Sequence, residues 1–166
     1  INTKFSNNTA NYAGGGLSLQ MRDSQLINCT FENNIAYFGC SLVIKDTKTT
    51  NNQIINCTFI NSTASTVLIN STVQAIIDNF NNVEEFCKGK GGAIFTRDNL
   101  VSVIGCTFIN CTGKEGGAVF WDGGDNYQRD NPSRHTGVMG DDGIIRDSTF
   151  IGNSAKDNGR LTAICT

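Results

Sequence analysis

Short runs of β-branched and aliphatic residues recur along the chain, each closing on a phenylalanine. They read Leu26-Ile27-Asn28-Cys29-Thr30-Phe31, Ile54-Ile55-Asn56-Cys57-Thr58-Phe59, Val103-Ile104-Gly105-Cys106-Thr107-Phe108 and Ile145-Arg146-Asp147-Ser148-Thr149-Phe150. Apolar and polar positions alternate with period two near each Phe, which predicts strands. Cys29, Cys57, Cys106 and Ser148 share the parity of the Phe that follows, so both columns are expected inside. Asn28, Asn56 and the Thr residues are then expected to face solvent. After each Phe comes an Asn-rich stretch, as in Phe5-Ser6-Asn7-Asn8, Phe31-Glu32-Asn33-Asn34, Phe59-Ile60-Asn61-Ser62 and Phe108-Ile109-Asn110-Cys111. Asn suits turns, because it tolerates the left-handed region and bonds its own backbone. Pairs of small residues follow and lead into aliphatics: Gly14-Gly15-Gly16-Leu17, Gly39-Cys40-Ser41-Leu42, Gly91-Gly92-Ala93-Ile94 and Gly116-Gly117-Ala118-Val119. These predict tight corners where a Cβ would clash.

The copies begin at Phe5, Phe31, Phe59, Phe80, Phe108 and Phe150, spaced by 26, 28, 21, 28 and 42 residues. A period near 26 is too short for a two-helix repeat of this composition and fits one coil of three short strands. The chain therefore reads as an all-β parallel β-helix, a solenoid of about six coils. Stacked at about 4.8 Å, the coils place like on like, with Phe on Phe. The fourth copy, Phe80-Asn81-Asn82, competes with Phe86 for the register. The 52 residues from Gly39 to Gly91 suggest a degenerate copy near Val67-Leu68-Ile69. The final long spacing implies an irregular insertion, expected within 121–143.

These paired Phe-x-x-Asn and Gly-Gly-Ala-(Ile/Val/Leu) motifs resemble the repeats of the polymorphic outer membrane protein family. More broadly they look like the pectin-lyase-like superfamily, which implies a right-handed winding. That superfamily holds lyases, hydrolases, adhesins and passive stalks, so the resemblance speaks to fold more than to activity. In the bacterial surface family a β-barrel domain follows the rod; no such domain is visible in this sequence.

Composition narrows the picture further. Charged residues make up 17% of the 166 residues and the net charge is -2, which gives no basic footprint for nucleic acid or an anionic membrane. No window carries the apolar run a membrane helix needs, so no membrane insertion is expected of this segment. The chain opens on Ile1 inside one copy and ends inside another. It is read as a single β-helix segment spanning 1–166, expected to belong to a longer or processed chain. Open strand edges at both ends invite further coils, or copies of the same chain stacked end to end.

Seven cysteines are present: 29, 40, 57, 87, 106, 111 and 165. None forms a Cys-x-x-Cys pair, which argues against a zinc site. Cys29, Cys57 and Cys106 read as small inward packing residues. Cys87 and Cys111 precede Gly-Gly pairs at similar distances and are candidates for a disulfide in an oxidising compartment. Asn-x-Ser/Thr sequons occur at Asn7, Asn28, Asn56, Asn61, Asn70 and Asn110. Outward-facing sequons are candidate acceptors of N-linked glycans in a eukaryotic secretory route. The competing reading is an outward polar column without sugar.

The segment 121–143 holds the sole Trp (Trp121), Pro (Pro132) and His (His135), and Asp130, Asp141 and Asp142. Function, if this chain has a ligand, is expected in such an insertion. Trp121 and Tyr127 are candidate platforms for a sugar ring, with Asp122 and Asp125 beside them. The Asp cluster offers the hard oxygen ligands that Ca²⁺ takes. Asp141 and Asp142, assisted by His135 or Arg146, are the best available acid and base for a glycosidic bond. Neighbouring coils, however, offer Asn, Ser and Thr where β-helix hydrolases carry further acids, so no catalytic residue is assigned. The expected function is an extracellular or cell-surface rod, structural or adhesive, such as a glycoprotein filament subunit. The alternatives are a carbohydrate-active enzyme of pectin-lyase-like type and a glycan-binding module using 121–143.

Overall fold

The computed structural model describes residues 1–19, 23–44, 52–65, 89–97, 101–122 and 144–156. Among them there is no helix; all regular structure is parallel strand, numbered here in chain order. The first sheet holds β1 (Lys4–Ser6), β4 (Thr30–Glu32), β8 (Thr58–Ile60), β12 (Thr107–Ile109) and β16 (Thr149–Ile151). A second holds β3 (Gln25–Ile27), β7 (Asn52–Ile55), β11 (Val101–Ile104) and β15 (Ile144–Arg146). The third is built from two-residue strands, β5 (Ile35–Ala36), β9 (Thr63–Ala64), β13 (Thr112–Gly113) and β17 (Ser154–Ala155). The fourth holds β2 (Leu17–Leu19), β6 (Leu42–Ile44), β10 (Ile94–Arg97) and β14 (Val119–Asp122). Each strand pairs with its equivalent one winding away, as expected of a parallel β-helix.

Register follows from the alternation. Phe5 pairs with Phe31, Phe31 with Phe59, Phe59 with Phe108 and Phe108 with Phe150. Their rings form one column, with centroids 4.7–5.0 Å apart and planes within 10° of parallel. Phe31, Phe59 and Phe108 have no exposed surface. Around them pack Leu26, Ile54 and Val103 from the second sheet and Leu42, Ile94 and Val119 from the fourth. Thr30, Thr58 and Thr107 take the opposite parity and are half-buried on the outer face.

Left-handed residues turn the chain between sheets. Asn28, Asn56, Gly105 and Asp147 lie between the second and first sheets; Asn7, Asn33, Asn61, Asn110 and Gly152 lie between the first and third. All have φ between 50° and 63°. Asn, Asp and Gly are the residues that enter this region at least cost. The Gly pairs before the fourth sheet are required by contact as well. A Cβ on Gly15 would lie 2.6 Å from the Cys40 carbonyl oxygen, and one on Gly117 would lie 2.6 Å from the Ser154 carbonyl carbon.

Phe59 stacks directly on Phe108 and Leu42 pairs directly with Ile94. The Phe column has five described members. Phe80 and Val67-Leu68-Ile69, expected from the sequence as further copies, lie outside the described residues. Of the segment 121–143, Trp121 and Asp122 belong to β14, in register with Thr96 and Arg97; its other residues lie outside the described ones.

Candidate functional site

The corners carry most of the chemistry. After each left-handed residue the chain changes direction, and the next backbone N–H loses its place in the ladder. A side chain from the adjacent winding supplies the missing partner. The Cys57 Sγ accepts from the Cys29 N–H at 3.4 Å, and the Ser148 Oγ accepts from the Cys106 N–H at 3.1 Å. At the next corner the Asn34 Oδ1 accepts from the Asn8 N–H at 3.1 Å and the Asn153 Oδ1 accepts from the Cys111 N–H at 2.8 Å. Three of these side chains, and Cys106, donate to a carbonyl of the adjacent winding, whereas the Ser148 Oγ donates to the Arg146 carbonyl of its own. The Asn34 Nδ2 donates to the Phe5 carbonyl, the Asn153 Nδ2 to the Phe108 carbonyl, the Cys57 Sγ to the Leu26 carbonyl and the Cys106 Sγ to the Ile54 carbonyl. Cys, Ser and Asn therefore share these columns because each is small and can both give and accept a hydrogen bond. The sequence showed the inward parity of Cys29, Cys57, Cys106 and Ser148 but not this bonding role, and Asn34 read there only as a turn residue.

These contacts join into a buried polar line. Asn34 donates to the Ser41 Oγ at 3.3 Å, and the Ser41 and Ser62 hydroxyls lie 2.5 Å apart. Asn34, Ser41 and Ser62 have no exposed surface. Replacing Asn34 with Leu, which keeps the branched skeleton but carries no polar atom, leaves the Asn8 N–H, the Phe5 carbonyl and Ser41 without this partner. We expect a loss of about 2–4 kcal/mol in unfolding free energy, measured by urea titration.

Cys29, Cys40, Cys57, Cys106 and Cys111 are free and buried. The Cys111 thiol donates to the Phe59 and Ile109 carbonyls. Cys87, its expected partner, lies outside the described residues, as does Cys165. Desolvation pushes the Cys40 thiol up. Cys57 is also pushed up, first by its hydrogen bond with Cys106 and then by burial. For Cys111, desolvation outweighs its backbone hydrogen bonds and raises the thiol from 9.0 to about 11. A raised acid stabilises the fold fully below pH 9 and loses that contribution as pH rises through 11. Stability should therefore fall across this window by about 2 kcal/mol on account of Cys111. A C111S variant should show a correspondingly shallower alkaline slope in thermal melts taken from pH 8 to 11.

Each sequon among the described residues coincides with a corner. Asn28-Cys29-Thr30, Asn56-Cys57-Thr58, Asn61-Ser62-Thr63 and Asn110-Cys111-Thr112 each place a left-handed Asn, an inward bonding residue and an outward Thr in that order. Gly105-Cys106-Thr107 and Asp147-Ser148-Thr149 make the same corner without being sequons. Corner geometry alone thus accounts for part of the sequon frequency. Asn7, Asn28, Asn56, Asn61 and Asn110 are nonetheless all exposed. In one column the amides form a ladder: Asn61 donates to Asn33 at 3.2 Å and Asn33 to Asn7 at 3.1 Å. Asn70 lies outside the described residues.

Of the expected ligand platform, Trp121 is half-buried and packs against the inner core cluster, on the same side as Val119. It is a strand residue rather than part of a loop. Asp125, Tyr127, Asp130, His135, Asp141 and Asp142 lie outside the described residues. Arg146 is exposed in β15, 4.0 Å from Asp147. The other described acids include Glu32, 2.6 Å from the Lys4 ammonium, and Glu115, 3.4 Å from that of Lys90. Among the described residues no group of three or more His, Cys, Asp or Glu is placed to hold a metal ion.

The fourth sheet adds a feature the sequence did not disclose. Val43 and Phe95 face away from the inner core, yet are buried with Tyr37 and Phe38 in a second cluster, flanked by Tyr12 and Phe120. Lys90, itself buried, sits 4.6 Å above the Phe120 ring. The unbroken run Leu42-Val43-Ile44 hides this, because a strand apolar on both faces has no alternation to read.

The fold and its corners define a class, an all-β repeat protein of stacked parallel strands. No family model, curated protein or solved structure matches the chain.

Proposed function

We propose that the chain is a stretch of right-handed parallel β-helix of pectin-lyase-like type, with repeats like those of the polymorphic outer membrane proteins. In this reading it serves as an extracellular structural or adhesive rod on a cell surface. The observation that carries it is the five-ring Phe column, which runs through every described winding. A stack in which each winding repeats the last gives stiffness and length, the properties a stalk or fibre needs. The outer corners support the same reading, since they turn Asn amides to solvent as N-glycan acceptors. Further coils, or further copies of the chain, extend the rod along its axis.

The test is antibody labelling of cells that make the natural protein, with antibody raised against the folded chain. Staining of intact cells is expected. Staining that requires permeabilised cells would overturn the surface assignment.

A further inference from the structure

The winding turns sequons that are distant in sequence into immediate neighbours. Asn28 and Asn56 are 28 residues apart, yet the Asn28 N–H donates to the Ile55 carbonyl at 3.0 Å, which sets the two Asn on adjacent rungs. Their φ angles are 52° and 51°, so both side chains leave the corner in the same direction. Asn61 and Asn110 are 49 residues apart and related in the same way. The Asn61 N–H donates to the Ile109 carbonyl at 2.9 Å, and the φ angles are 50° and 51°. All four are exposed. Asn7 differs: the next member of its column is Asn33, which is followed by Asn34 and Ile35 and so is not a sequon.

We propose that each of these stacked pairs, Asn28 with Asn56 and Asn61 with Asn110, accepts one N-linked glycan and excludes a second. Rungs lie about 4.8 Å apart, less than the width of a branched oligosaccharide. Two such chains leaving parallel side chains at that spacing compete for one volume. The ladder adds a constraint of its own in the second column, because the Asn61 Nδ2, the atom that would carry sugar, already donates to Asn33. Asn7 stands two rungs from Asn61 and is compatible with a glycan on either member of that pair. The folded chain thus carries at most three glycans on its five described sequons. In the unfolded chain the members of each pair are independent acceptors, so doubly modified chains are made but cannot close the corner. The inference rests on the glycoprotein reading above and assigns its pattern.

The experiment is glycopeptide and intact-mass analysis of the chain made in a eukaryotic secretory cell, with secreted and retained pools compared. Secreted molecules should carry sugar at Asn28 or Asn56 but not both, and likewise at Asn61 or Asn110. Doubly modified molecules should be confined to the retained pool. Thr58→Val, which removes the Asn56 acceptor and keeps a β-branched residue outside, should raise Asn28 occupancy in the secreted pool. Folded, secreted molecules modified at both members of a pair would overturn this inference and leave the glycoprotein reading intact. Secreted material bare at all five sequons would overturn that reading, and this inference with it.

Discussion

Replacing Phe108 with alanine is expected to lower the unfolding free energy by about 3–5 kcal/mol. Its ring lies between those of Phe59 and Phe150, at 5.0 and 4.7 Å, and has no exposed surface. Truncation removes the buried ring and leaves a gap that neighbouring windings cannot close. Backbone hydrogen bonds fix their spacing: the Thr107 N–H donates to the Cys57 carbonyl and the Thr149 N–H to the Cys106 carbonyl. The cavity term therefore adds to the transfer term nearly in full. Phe150 makes a useful control. It stacks on Phe108 but is only half-buried, so Phe150→Ala should cost less. Equal losses for the two variants in urea titrations would mean that the column does not order these rings as described.

Gly92→Ala should be comparably severe, by a different mechanism. A Cβ at Gly92 would collide with the Gly117 carbonyl oxygen and lie 2.8 Å from the backbone nitrogen of Thr112. Both obstacles are backbone. Gly92 donates to the Gly116 carbonyl at 3.0 Å and Thr112 to the Ser62 carbonyl at 2.8 Å, so neither can withdraw without breaking ladder bonds. Overpacking against side chains typically costs about 1–3 kcal/mol; against two fixed backbones we expect at least the upper end. Gly113→Ala is the milder comparison, since its Cβ would meet the Glu115 and Gly116 carbonyl oxygens at 3.0 Å. Thermal melts of the two variants should separate clearly, with Gly92→Ala lower.

The stack was legible in the sequence because its signals are periodic and chemically distinct. Phe31, Phe59 and Phe108 stand at one parity, Asn at the turns, and Gly where the chain comes closest to itself. What could not be read was the length of chain between rungs. Phe80-Asn81-Asn82 has the residues of a repeat, and only pairing shows that Phe59 rests on Phe108 instead. Nor did parity reveal why Cys57, Ser148 and Asn34 occupy equivalent places. Their shared role lies in a backbone N–H one winding away, 28, 42 and 26 residues off in sequence. Trp121 was misplaced for a related reason: the boundary between strand and insertion carries no Gly or Pro before Gly123. Sequons are the most ambiguous signal of all, because the corner itself selects Asn, a small bonding residue and Thr.

The direct contact between the windings of Phe59 and Phe108 is what the whole arrangement depends on. The scalar coupling across the hydrogen bond from the Asn61 amide to the Ile109 carbonyl, 2.9 Å in length, reports it most directly. NMR on isotope-labelled protein should detect that coupling. A coupling from Asn61 to a carbonyl near Phe80 would instead place another rung between them and contradict the stack described above.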